Sequence, residues 1–217
     1  MKKLVAVSSI LIFFALGCSR IGDLIRGAQG GNGSGPGLSS AGADPKAEVI
    51  DASTKFIALP FFTANMEGQG QTPLKSQVSY VAPDRYHIKY LGGTGAGMEM
   101  IMIGKDSYMK TGGKWSKMPG TGTAIPTLRD SFTEEGLKSL SDVKYDGTDS
   151  VDGKTANVYS YKNVTPKGEY PFTSKIWIRQ DSGVPVKIVV DYTNGTLKQM
   201  TVNYDTETPV TIEPPIK

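Results

Sequence analysis

The stretch SKIWIRQDSGVPVKIVVDYT, Ser174 to Thr193, decides the fold. Two alternating runs flank the turn Asp181-Ser182-Gly183. Ile176 and Ile178 oppose Lys175, Trp177 and Arg179, while Val186, Ile188 and Val190 oppose Lys187, Val189 and Asp191. Successive side chains of a strand point to opposite faces, so this period of two predicts paired antiparallel strands with one dry and one wet face.

The same text extends in both directions. Upstream, VKYDGTDSVDGKTANVYSYKNV carries the hairpin signal Asp152-Gly153, and downstream KQMTVNYD follows the turn Asn194-Gly195. Earlier, FFTANMEG, LKSQVSYV, DRYHIKYL, MEMIMIG and DSYMKTGGKWSKM are short segments separated by turn residues, which predicts further antiparallel strands in sequence order. Two segments change period. DPKAEVIDASTKFIAL predicts a helix capped by Asp44, with Pro45 at its first position, Ala47, Ile50, Thr54 and Ile57 at helical spacing, and Pro60 as its stop. IPTLRDSFTEEGLKSLSD predicts a second helical piece on which Leu128, Phe132, Leu137 and Leu140 share a face, with Gly136 counting against it. The class is α+β. A long antiparallel sheet with one apolar face and only two or three helices must close, pair with another sheet, or be covered by those helices.

The run GGTGAGMEMIMIG, Gly92 to Gly104, has the look of a phosphate-binding loop, but its spacing does not fit one. Counting from Gly93 and Gly95, the third glycine of a dinucleotide fingerprint falls on Met98; a P-loop ending at Gly104-Lys105 would need glycine at Glu99 and a hydroxyl at Asp106. Both motifs also need a following helix, whereas MEMIMI predicts a short apolar strand. The glycines are expected to form a mobile turn between two strands.

The chain opens MKKLVAVSSILIFFALGCSR, with two lysines, an apolar run from Leu4 to Leu16, and Gly17 directly before Cys18. That run is too short to span a bilayer and predicts a signal segment over residues 1–17. Cys18 is the only cysteine, so an internal disulfide is excluded. Residues 18–43, Gly/Ser-rich from Gly27 to Gly42, are expected to be a flexible tether, and residues 44–217 to be one domain. The chain has 24 basic and 21 acidic residues; without Lys2 and Lys3 the excess falls to +1, which gives no footprint for nucleic acid.

Two resemblances follow from these residues. ALGC resembles a bacterial lipobox, with Ala15 where Leu or Val is more usual, and implies thioether-linked diacylglycerol on Cys18 after cleavage before it. The order of the N-terminal helix, FTANMEG, VAPDRYHIKY, IGKDSYMKTGGKW, a helical interruption, IWIRQDSGVPVKIVVDY and PVTIEPP resembles the LolA/LolB-like lipoprotein-carrier superfamily, closest to its mycobacterial lipid-binding lipoprotein branch. The resemblance implies a strongly curved antiparallel sheet, a half-open β-barrel, with two or three helices covering the concave face and acyl chains of a lipid or lipoprotein inside. Where the soluble carriers have an arginine before the strand-pair proline, this chain has Ala82, and the nearest arginine is Arg85. The gating role of that arginine is therefore not carried over.

With parity and resemblance together, the expected cavity lining is Phe62, Met66, Tyr86, Ile88, Met100, Met102, Phe132, Ile176, Ile178, Val186, Ile188 and Val190. Ile101 and Ile103 remain the alternative inward pair on MEMIMI, since both of its faces are apolar. Methionine adapts to changing apolar partners, which suits a pocket, but it also fills ordinary cores.

Catalytic chemistry is hard to assemble from this text. His87, the only histidine, alternates with Arg85 and Lys89 on the expected polar face, and no GxSxG elbow occurs. There is no His/Cys cluster for a metal, and Asp142, Asp146, Asp149 and Asp152 lack the EF-hand order. Glu134-Glu135 suit the first turn of a helix. The expectation is a non-enzymatic, cofactor-free monomer, anchored to a membrane through Cys18 on its extracytoplasmic side, either the cell membrane or the outer membrane facing the periplasm. It would hold lipid or lipoprotein acyl chains. The alternative is a sensor or interaction module of the same fold with a filled interior, for which Trp115 and Trp177 on exposed strands would be suited.

Overall fold

The computed structural model describes residues 41–71, 73–93, 95–118, 132–133, 137–164 and 171–216. All of them belong to one unit, Ser39–Lys217. Cys18, the signal segment and most of the tether lie outside the described residues, as do Thr94, Leu128, Glu134, Glu135 and Gly136.

Helix α1 runs Pro45–Ile57, and its start follows the sequence logic: the Asp44 side chain accepts from the Ala47 N–H at 3.0 Å, and Pro45 opens the first turn. Its buried stripe is Val49, Ala52, Ser53 and Phe56, the i, i+3, i+4, i+7 pattern. This corrects the face expected from Ala47, Ile50, Thr54 and Ile57, because Ile50 is 36% exposed. Among the described residues α1 is the one helix of more than a turn, fewer than the two or three expected. Leu137 and Lys138 are helical as well, and the Leu137 N–H bonds to the Thr133 carbonyl at 2.9 Å.

The strands are β1 (Phe61–Gly70), β2 (Leu74–Val81), β3 (Arg85–Gly93), β4 (Glu99–Ile103), β5 (Asp106–Thr111), β6 (Lys114–Met118), β7 (Ser141–Val151), β8 (Lys154–Val164), β9 (Pro171–Arg179), β10 (Pro185–Tyr192) and β11 (Leu197–Asp205). They form one open 11-stranded antiparallel sheet in the order β6-β5-β4-β3-β2-β1-β11-β10-β9-β8-β7. Two meanders therefore meet where β1 pairs with β11. The Asp152-Gly153 turn takes the positive φ values, +50° and +75°, that a tight hairpin needs. Between β3 and β4, Gly93 at φ +75° packs so closely that a Cβ would sit 2.0 Å from the Pro73 carbonyl oxygen. The glycines there serve a strand turn, and β4, not a helix, follows.

The sheet is curved. One apolar cluster joins α1 to residues from Tyr86 of β3 through to Val143 and Tyr145 of β7, eight adjacent strands. Laid flat at about 4.8 Å per strand they would span roughly 34 Å, far wider than a helix of about 10–12 Å. At the centre Phe56 packs on Phe62, Phe132 and Tyr204 with ring centroids at 4.9, 4.6 and 4.8 Å. Such pairs contribute about 0.5–1.5 kcal/mol each beyond burial.

The outer face is drier than the alternation predicts. Ala156, Val158, Trp177 and Val186 form a buried cluster there, with the Lys187 ammonium 4.7 Å from the Trp177 ring centre and Trp177 Nε1 donating to Asp149 at 2.9 Å. Val186 is thus on the opposite face from Ile188, correcting its expected place. The register between β9 and β10 shifts between Pro185 and Lys187, and such an irregularity re-aims the side chain inside it. Under β3–β5 a second outer cluster of Ile101, Tyr108 and Ile212 is covered by the C-terminal segment, where Arg85 donates to the Ile212 carbonyl at 2.7 Å.

Candidate functional site

Register assigns the expected lining residues to their faces. Paired residues in adjacent antiparallel strands share a face, and the pairs Phe62–Tyr80, Tyr80–Tyr86, Tyr86–Met102, Ile88–Met100 and Ile188–Ile176 run across the concave side. Met100 and Met102 therefore face inward, and Ile101 turns outward into the second outer cluster. Phe62, Met66, Tyr86, Phe132, Ile176, Ile178, Ile188 and Val190 all belong to the central apolar cluster. Ile88 is 6% exposed and continues the same face toward Met100.

A cavity of about 50 Å³ opens within this face, between α1, strands β8–β11 and the segment around Leu137. Of the expected residues, Phe132, Ile188 and Val190 line it; Ser53, Leu137, Leu140, Tyr161, Asn163, Phe172, Ser174, Met200, Val202 and Tyr204 complete the wall. Parity in NVYSYKNV and KQMTVNYD carried the signal for the strand members of this second group, since Tyr159, Tyr161 and Asn163 alternate, as do Met200, Val202 and Tyr204. The void is small beside the roughly 300–1,000 Å³ of ordinary ligand pockets.

Local bonds hold the wall in place. Lys46 Nζ donates to the Leu140 carbonyl at 3.1 Å, Ser139 donates to Asn163, and Tyr159 donates to Glu48 in the first turn of α1. Burial pushes the Tyr161 hydroxyl up to about 12, although a hydrogen bond with Ser174 works against that shift. Tyr204 is raised further by burial and then by the nearby Tyr161. Both phenols are therefore neutral over the physiological range.

His87 lies elsewhere, on the outer face. Its Nε2 is 2.8 Å from Glu99, whose other oxygen accepts from Lys110 at 2.8 Å, and Lys110 together with His87 lowers the Glu99 pKa. Among the described residues no group of three or more His, Cys, Asp or Glu side chains could hold a metal ion, and no helix is long and apolar enough to cross a membrane.

No protein-family model and no curated protein matches the sequence. Solved structures do match the fold. The lipoprotein LppX of Mycobacterium tuberculosis superposes with a TM-score of 0.58 at 15% identity, covering 78% of this chain and 98% of that one. LprF of Mycobacterium bovis does so with a TM-score of 0.60 at 14% identity, covering 80% of this chain and 97% of that one. The chain has the fold of these two mycobacterial proteins.

Proposed function

We propose that this chain, folded like LppX and LprF, is a membrane-anchored extracytoplasmic lipoprotein that binds or transfers lipid or lipoprotein acyl chains on the concave face of its sheet. The observation that carries the reading is the apolar cavity on that face, closed by Phe132, Leu137 and Leu140. Exposing an acyl chain to water costs about 0.8 kcal/mol per CH₂, so a protein that shields the chain lets it leave a bilayer without an external energy source. At about 50 Å³ the void admits only the start of a chain. Entry proceeds by displacement of Phe132 and Leu137, which lie outside the sheet and reach the cavity, while the sheet stays fixed.

Anchoring rests on Cys18 and the apolar run before it. Cys18→Ala is expected to abolish incorporation of labelled palmitate and to release the protein from membranes; unchanged labelling contradicts the assignment.

A second reading, an interaction module with a filled interior, is favoured by the dense aromatic packing around Phe56 and the small void. Ile188→Trp separates the two. In an acyl-chain binder the new ring occupies space used by cargo, so uptake of a fluorescent fatty-acyl probe falls while thermal stability changes little. In a filled core it overpacks, costing typically 1–3 kcal/mol, and the parent protein takes up no probe.

A further inference from the structure

Among the described residues, the polar side chains that reach the cavity are Ser53, Tyr161, Asn163, Ser174 and Tyr204, and none of them is charged. Ser53 Oγ donates to the Val49 carbonyl at 2.7 Å and Asn163 accepts from Ser139, while Tyr161 and Ser174 are register partners on β8 and β9. Tyr204 differs. Its ring is packed against Phe56, Phe62 and Phe132, and the residue is only 7% exposed. Yet its hydroxyl makes no hydrogen bond among the described residues. Phenylalanine would fill the same apolar site, so the hydroxyl that reaches the cavity is the part of Tyr204 that packing does not use.

We propose that the Tyr204 hydroxyl, beside the Tyr161–Ser174 pair, is a subsite that donates a hydrogen bond to the uncharged carbonyl of an acyl ester or amide. The inference rests on the acyl-binding reading above and narrows it to chains joined to a neutral linkage, disfavouring free fatty carboxylates. A carboxylate drawn into this cavity would lose its hydration and, among the described residues, meet no lysine, arginine or histidine on the wall, a desolvation cost that only a paired charge offsets. An ester carbonyl needs one donor, and Tyr204 supplies it. Burial holds both phenols protonated, so the donor persists across the physiological range.

Three probes sharing one fluorescent acyl chain test the subsite on the full-length protein at pH 8: the methyl ester, the free acid and the parent hydrocarbon. The ester is expected to bind about tenfold more tightly than the acid. Tyr204→Phe should weaken ester binding about fivefold to tenfold, the weight of one neutral hydrogen bond, and leave hydrocarbon binding unchanged. Ser174→Ala, which removes the hydroxyl opposite Tyr161 on the cavity wall, provides a second variant should Tyr204→Phe fold poorly, and is expected to weaken ester affinity but not hydrocarbon affinity. If the probes bind but ester and acid bind equally, or neither variant shifts the ester, the subsite is wrong and acyl binding stands. If none of the three probes binds, acyl binding itself fails and the subsite falls with it.

Discussion

The Tyr159 hydroxyl donates a hydrogen bond to the carboxylate of Glu48, and the other oxygen of that carboxylate accepts the Gly42 N–H at 2.8 Å. One side chain thereby joins the first turn of α1, the chain leading into it and the middle of β8. Tyr159 is 1% exposed, so its removal strands a partly buried acceptor. Tyr159→Phe is expected to cost about 1–3 kcal/mol. Urea denaturation of variant and parent measures this, and an unchanged midpoint shows the bond to be energetically silent.

Stability should fall at alkaline pH. Burial raises the hydroxyls of Tyr161 and Tyr204 above the ordinary value of 10.0, so above that pH the unfolded chain loses protons the folded chain keeps. Stability is therefore full below about pH 10 and declines above it, by up to about 1.4 kcal/mol per pH unit for each such group. For Tyr161 the window closes near pH 12. Denaturation at pH 8, 10 and 11 measures the slope, and Tyr161→Phe should flatten it. Tyrosinate absorbance that rises fully near pH 10 without loss of stability contradicts the burial argument.

Ser107 is 2% exposed and its hydroxyl has no partner among the described residues. By register it shares the concave face with Met102 and Met118. Ser107→Ala removes a lone polar atom while keeping the shape, and is expected to raise stability by about 1 kcal/mol. A lowered melting temperature would mean that the hydroxyl is bonded after all.

Val186 and Val190 are similarly buried, at 5% and 8% exposure, but on opposite faces of the sheet. Truncating either to alanine should cost about 1–3 kcal/mol through lost burial and the space left behind. Only Val190→Ala enlarges the cavity, so only that variant should increase uptake of a fluorescent acyl probe. Equal effects of the two on uptake contradict the assignment of faces.

This pair also shows where the sequence was legible. Alternation and turn residues identified the strands and the pairing of sequence neighbours, because in a regular strand parity sets the face, but not the pairing of β1 with β11. The register shift at Pro185–Lys187 broke that parity for Val186, and nothing in VPVKIVV marks it. The outward face of Trp177 was readable, but its burial was not, since that depends on Val158 and Ala156 from a strand separated by the 165–170 connection. In α1 the cap was local and came out correctly. Its buried stripe was set one step away by packing onto Phe62 and Tyr204, a tertiary effect. Ten of the residues walling the cavity were not foreseen as lining because its position depends on where the segment near Leu137 folds over the sheet.

The central claim is that the concave face carries an acyl compound, and mass spectrometry of an organic extract tests it most directly. Protein purified from its membrane without denaturation is extracted, beside a Cys18→Ala control that removes the signal of the anchor itself. An acyl-bearing compound is expected in near-stoichiometric amount from both, depleted in Ile188→Trp. An extract empty of acyl compounds in the Cys18→Ala protein, together with no uptake of added acyl probe, contradicts it and leaves the filled interaction module as the reading.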